Sequence, residues 1–171
     1  MSWHQKVIFS NMAAMAKPGK TVAMRQLDAL GISYSVHWQD KPTYDVEEAA
    51  HQRNLPLQQI VKSLLVVSAS KRYYLVLLQG HRMLSLHKLG TVLGQKGLSM
   101  ARHEDVATVT GYEPGAVSPL GLRRRIPIVA DAGILAEEMV SISGGRHDLG
   151  LTLKPADLVR ATYARVADIA Q

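Results

Sequence analysis

Two apolar runs, Ser63–Val67 and Tyr73–Leu78, are separated only by the polar-rich stretch Ser68-Ala69-Ser70-Lys71-Arg72, and this pair constrains the fold more than any other feature. Each run has the length of a strand, and so short a connection lets the second strand return only antiparallel to the first. Elements of a different period surround this hairpin. Thr21 can cap a helix carrying Val22, Ala23, Leu27 and Leu30 at helical spacing, which Gly31 ends. Ile32, Tyr34, Val36 and Trp38 alternate as on a half-buried strand. Asp45 with Glu48 makes a capping-box signature for a helix running to about Asn54. Further on, helices are expected over Leu86–Leu93 and Glu104–Thr110, strands over Ile126–Ala130, Met139–Ile142 and Leu149–Leu153, and a short helix after Asp131. Gly144-Gly145 reads as a turn, and Pro155 as the first residue of a last helix.

Short helices interleaved this irregularly with strands do not build a doubly wound sheet, and no glycine-rich nucleotide fingerprint follows a strand. The expected fold is a mixed α/β, α+β-like single domain: a curved, mostly antiparallel sheet flanked by short helices. Lys17-Pro18-Gly19-Lys20 reads as a linker, so residues 1–19 are expected to form an extension and residues 20–171 the domain. With 171 residues, 47% of them hydrophobic, one core can be filled without metals or disulfides.

Cysteine is absent, which removes thiolate nucleophiles, cysteine-ligated zinc and disulfides together. No segment is long and apolar enough for a membrane span, and the apolar stretch near the N-terminus breaks too soon for a signal peptide. A cytoplasmic location without membrane association is the expectation. Twenty Lys and Arg against fourteen Asp and Glu give a formal charge of +6, which favours polyanionic partners but is also common without one.

Metal-ligand spacings, a G-x-S-x-G elbow and a P-loop are all missing, so no metal or cofactor is expected. Three features remain. Lys62 stands at the mouth of the apolar run that follows Ile60-Val61; it is either a snorkelling surface residue or a cation held at the edge of a pocket. The loop Gly111–Gly121 holds Gly115, Ala116, Val117, Ser118 and Pro119. Such a composition suits an ordinary long turn, or a backbone cradle that aims N–H groups at an oxyanion or phosphate. Arg123, Arg124 and Arg125 follow, as a solvated stretch or a grip on phosphates, and Gly144-Gly145-Arg146-His147 is the third feature.

In order along the chain, these pieces resemble the YbaK family of aminoacyl-tRNA editing proteins, which is similar to the editing domain inserted in bacterial prolyl-tRNA synthetases. The resemblance is carried by Val22–Tyr34, Ile60–Val66, Leu84-Ser85-Leu86-His87-Lys88, the loop Gly111–Gly121, Pro127–Asp131 and Ser143–Arg146. It implies a metal-independent deacylase acting in trans on mis-charged aminoacyl-tRNA, with tRNA-Pro carrying Ala or Cys as the expected substrate. It also implies an active-site lysine at Lys62 and a substrate-cradling GxxxP loop at Gly115–Pro119. Gly144, Gly145 and His147 would then contact substrate, His147 helping to choose the amino acid. Arg123, Arg124, Arg125 and Arg146 are the candidate tRNA-binding residues. Members often have Gly-Gly where this chain has Gly115-Ala116. The family's cysteinyl-tRNA deacylases carry a tyrosine near the position of Gln39, and Asp45–Ala50 is more like the alanine-editing branch. Partners would be the acceptor end of aminoacyl-tRNA, with prolyl-tRNA synthetase a further candidate, for a monomer or weak homodimer. The competing readings are a non-catalytic tRNA- or synthetase-binding module, and a hydrolase of some unrelated small ester or amide.

Overall fold

The computed structural model describes residues 19–171, so the expected extension lies outside the described residues except for Gly19. Helix α1 (Val22–Ala29) starts where Thr21 Oγ1 accepts from Met24 N and ends at Gly31, whose positive φ lets Ile32 N reach back to Leu27 O. That closure holds Ile32 on the helix end, so strand β1 begins late, at Ser35–Trp38. Helix α2 (Val46–Arg53) is capped by Asp45, whose Oδ1 accepts from Glu48 N at 2.7 Å. Only half of the capping box forms, because the Glu48 carboxylate turns to Lys41 and Gln52 instead.

A 3-10 turn at Leu57–Gln59 leads into β2 (Val61–Val67), which pairs antiparallel with β3 (Tyr73–Gln79) as the apolar runs required. Helix α3 (Leu86–Leu93) ends at a left-handed Gly94, and α4 (His103–Thr110) at a left-handed Gly111. The two-residue β4 (Ser99–Met100) lies between them. Strand β5 (Ile128–Asp131) starts after Pro127, which has no N–H to donate. A 3-10 turn (Ala132–Ala136), β6 (Val140–Ser143), β7 (Leu149–Leu153), α5 (Pro155–Thr162) and β8 (Arg165–Ala167) complete the chain.

The expected mixed, mostly antiparallel architecture is present, divided between two sheets. The larger has the order β4-β2-β3-β5-β8, parallel at β3–β5 and β5–β8. The smaller, β1-β7-β6, is wholly antiparallel. A single bridge from Ile60 to Ser141 joins them. Central strand β3 is covered on both faces, so Tyr74 to Leu78 are all buried without alternation. One face packs with α1, α5 and the smaller sheet through Leu27, Leu75, Leu77, Ile142, Leu151 and Leu158. The other packs Val66, Val76 and Val129 against Leu89 of α3.

Candidate active site

Where Ile60 bridges to Ser141, the two sheets diverge and leave a cleft of about 230 Å³. Its walls come from Thr43–Asp45 before α2, one side of α2 itself, the start of β2, Gly115 and Val117 of the long loop, and the end of β6 with the turn that follows it. Lys62, Gly115, Val117, Arg146 and His147, expected separately in the sequence, all line it.

Lys62 is neither snorkelling nor free. Its Nζ donates to Arg82 O at 2.6 Å and more weakly to Gly80 O at 3.4 Å, in the turn that follows β3. An ammonium has three N–H groups, so one donor is left for another acceptor. Burial lowers its pKa below the ordinary lysine value, and the carboxylate of Glu47 opposes that shift.

His147 is held on four sides. Its Nδ1 lies 3.2 Å from Thr43 O and its Nε2 3.1 Å from the exposed Glu113 carboxylate. The Tyr44 ring packs on it with centroids 4.5 Å apart. Gly115 backs the ring: a Cβ there would lie 3.3 Å from His147 Cε1, and φ is +84°. Glycine suits this position both by its torsion and by its close approach to the imidazole.

The remaining candidates are distributed by the path of the loop. Ala116 and Ser118 are buried, Ser118 Oγ accepting from Leu120 N to form a local turn. Pro119 lies outside the cleft, in a wider groove of about 650 Å³ that also holds Arg123, Arg124 and Arg125. Gly144 packs on Leu149, and Gly145 on the Tyr112 ring, where a Cβ would meet ring carbon at 2.6 Å. Arg146 is bound to Asp148 through Nε (2.8 Å) and Nη2 (3.0 Å) and lies over Trp38. Among the described residues there is no cluster of His, Asp and Glu that could hold a metal ion, and no helix is long and apolar enough to cross a membrane.

Residues 40–161 match the model of the aminoacyl-tRNA editing domain family, a span that contains every wall of the cleft. The chain belongs to that family. The editing domain is 24% identical over 161 residues to the candidate Cys-tRNA(Pro)/Cys-tRNA(Cys) deacylase EbsC of Enterococcus faecalis, covering 92% of this chain and 98% of that one. It is 34% identical over 103 residues to a proline–tRNA ligase of Thermosipho africanus, covering 60% of this chain but 18% of the ligase. Among solved structures, a candidate trans-editing enzyme for prolyl-tRNA synthetase superposes with a TM-score of 0.79 at 29% identity, over 90% of this chain and 99% of that one. A hypothetical protein superposes with a TM-score of 0.81 at 32% identity, over 86% and 97% of the two chains.

The sequence pattern gave no sign of Arg53, which lines the editing domain's cleft while only 8% exposed. Its Nε donates to Gln39 Oε1 at 2.9 Å and its Nη1 to Ser141 Oγ at 3.2 Å; no described carboxylate pairs with it. Gln39 Nε2 in turn donates to Thr43 Oγ1 at 3.0 Å and to His147 O at 3.2 Å. The guanidinium thus ties α2, the end of β1, β6 and the His147 turn into one network. Gly150 of β7 makes the room, since a Cβ there would lie 2.3 Å from Arg53 Nε. At the end of an otherwise polar helix the arginine carries no local signal, because its burial depends on strands far along the chain.

Proposed function

We propose that the domain hydrolyses the ester bond of mis-charged aminoacyl-tRNA in trans, with tRNA-Pro carrying a small non-cognate residue such as Ala or Cys as its substrate. The observation that carries this reading is the convergence of Lys62, Gly115 and His147 on one cleft in a chain of this family. The likeness to EbsC and to proline–tRNA ligases supports the choice of substrate.

An aminoacyl ester is already activated, so catalysis consists mainly of orientation and of stabilising charge. Water adds to the carbonyl carbon, the oxyanion forms, and collapse releases the free amino acid and the ribose hydroxyl, which takes up a proton. The unused N–H of Lys62 is available to the developing oxyanion or to the terminal phosphate. A preorganised donor of this kind is worth about 3 kcal/mol in the transition state. The Asp45 carboxylate at the cleft wall already accepts from Glu48 N as a helix cap, so it is poorly placed as a base. Water is instead activated by the substrate's own amino or vicinal hydroxyl group. His147, fixed between Tyr44, Thr43 and Gly115, forms the wall against which the amino-acid side chain is measured.

The test is incubation with tRNA-Pro charged in turn with labelled Ala, Cys, Ser and Pro, with EDTA present. Release of a non-cognate residue, sparing of Pro, and a loss of roughly 100-fold or more in Lys62→Ala with unchanged thermal unfolding are expected. Salt-sensitive tRNA binding without release from any ester would replace this reading by that of a binding module.

A further inference from the structure

A groove of about 650 Å³ holds the three consecutive arginines, and the ester chemistry has no use for it. Arg123, Arg124 and Arg125 are all exposed along it. No aspartate or glutamate lines it, and none of the ion pairs among the described residues involves these arginines. Their backbone is fixed, with Arg123 N bonded to Thr110 O and Arg124 N to Val109 O at the end of α4. Tyr163, 83% exposed, also lines the groove. It ends α5 in the left-handed conformation, with φ 53°. It belongs to neither of the hydrophobic clusters that form the core.

The groove is also braced. Gln26 Oε1 accepts from Gly121 N at 2.6 Å while its Nε2 donates to Ala161 O at 3.3 Å, so one side chain joins the loop to the end of α5. Gly121 has φ +68°, and a Cβ on it would lie 2.5 Å from Val22 Cγ1. None of the three guanidinium groups is paired with a carboxylate among the described residues, and that of Arg124 lies over the Tyr73 ring at 5.5 Å, which leaves its N–H edge free. Such groups suit a phosphodiester chain, because a guanidinium can grip phosphate oxygens in bidentate fashion. An exposed aromatic ring beside a basic track is the pairing that holds single-stranded RNA, the ring stacking on an unpaired base. The cleft and the groove share one loop, Gly115 and Val117 lining the first, Pro119 and Gly121 the second. Gly115 and Pro119 cannot be more than about 14 Å apart along the chain.

We infer that this groove binds the unpaired 3′ strand of the substrate RNA, with its phosphates on Arg123–Arg125 and a base on Tyr163. The identity of the RNA rests on the proposed deacylase function; the groove as an RNA site does not. Two measurements separate them. The first is fluorescence anisotropy of labelled, uncharged tRNA over a range of salt. Arg123→Ala/Arg124→Ala/Arg125→Ala should weaken binding roughly tenfold or more and lower the slope of log affinity against log salt by about 2, since each phosphate of a single strand left unneutralised removes about 0.7. Tyr163→Ala should weaken binding with the slope unchanged, and Tyr163→Phe should restore it. The second is hydrolysis of charged tRNA beside that of the same amino acid esterified to adenosine, which can occupy the cleft alone. In the triple variant the ratio of kcat/KM for the tRNA to that for the small ester should fall roughly tenfold or more, through KM. Wild-type affinity and salt slope in the triple variant would overturn the groove and leave the deacylase standing. An equal loss on both esters would also overturn it, placing the arginines in the fold or the cleft. Failure of the wild type to hydrolyse either ester would sink the deacylase, and the anisotropy result would still decide the groove.

Discussion

Replacing Arg53 with methionine sets two opposing effects against each other: the cost of burying its charge and the bonds that charge makes. Burial holds the guanidinium pKa down at about 10. Because the folded value lies below the unfolded one, the fold disfavours the charged form, and the cost is present at every pH below that value. It amounts to roughly 3 kcal/mol at neutral pH and is relieved only as pH rises through the depressed pKa. Methionine removes this cost. It also removes the bonds to Gln39 Oε1 and Ser141 Oγ, each a charged-group hydrogen bond worth about 1.5–3 kcal/mol. The net expectation is a destabilisation of about 0–3 kcal/mol, a fall in Tm of up to about 10 °C for a domain of this size. Activity should fall much further than stability. Once Gln39 is released, nothing fixes its amide against Thr43 and His147 O, and small misplacements of a site can cost about 100-fold. Thermal unfolding and deacylation of mis-charged tRNA measure the two effects on one preparation. Gly150→Ala offers a check, because the new Cβ must displace the guanidinium. It should reproduce the activity loss alone and cost less in the Arg53→Met background, where the flexible thioether yields. A gain in stability with full activity in Arg53→Met, or additive losses in the double variant, would refute the reasoning.

Gly115→Ala should destabilise the domain by about 1–2 kcal/mol through its left-handed torsion, and push His147 by a few tenths of an ångström. Denaturant titration reads the first effect, and altered discrimination among Ala, Cys and Ser esters the second; unchanged discrimination would detach His147 from amino-acid choice. Lys62 has its pKa lowered by burial, so its charge is lost on the alkaline side earlier than for an ordinary lysine. Enzymatic turnover, corrected for spontaneous ester hydrolysis, should therefore decline at high pH, and Lys62→Arg should shift or abolish that limb. A pH profile identical in the two proteins would show that Lys62 charge is not required.

The fold was legible wherever the signal was local. The apolar pair at 63–67 and 73–78 became β2 and β3, Thr21 and Asp45 cap their helices, and Gly94 and Gly111 end theirs in left-handed conformations. What the sequence could not convey was pairing between distant segments. β8 is three residues long and largely exposed, so it shows no period; it exists because β5 offers an edge beside α5. The junction of the two sheets depends on the Ile60–Ser141 bridge, which no local pattern specifies. The same distinction runs through the cleft. Lys62 and Gly115 stood out by their surroundings in the sequence. Arg53, Gln39 and Thr43 did not mark themselves as one network, since Thr43 finds its partner 104 positions away and Arg53 reaches Ser141 across 88.

The distribution of polar groups follows from the chemistry proposed for the cleft. A stable amide or phosphodiester would demand a nucleophile, a tuned base or a bound metal; an ester already poised to hydrolyse demands orientation. The side chains here are arranged for orientation. Lys62 has two of its three donors committed to backbone carbonyls, which aims the third. His147 has both ring nitrogens engaged and its ring packed by Tyr44 and Gly115, which suits a wall better than a shuttling base. Arg53 is committed to Gln39 and Ser141. With so little chemistry assigned to side chains, selectivity must come from what fits and how it is held. A loop braced by Gln26 and by the Tyr112 hydroxyl on Leu120 O links the wall of the cleft to the groove of the three arginines.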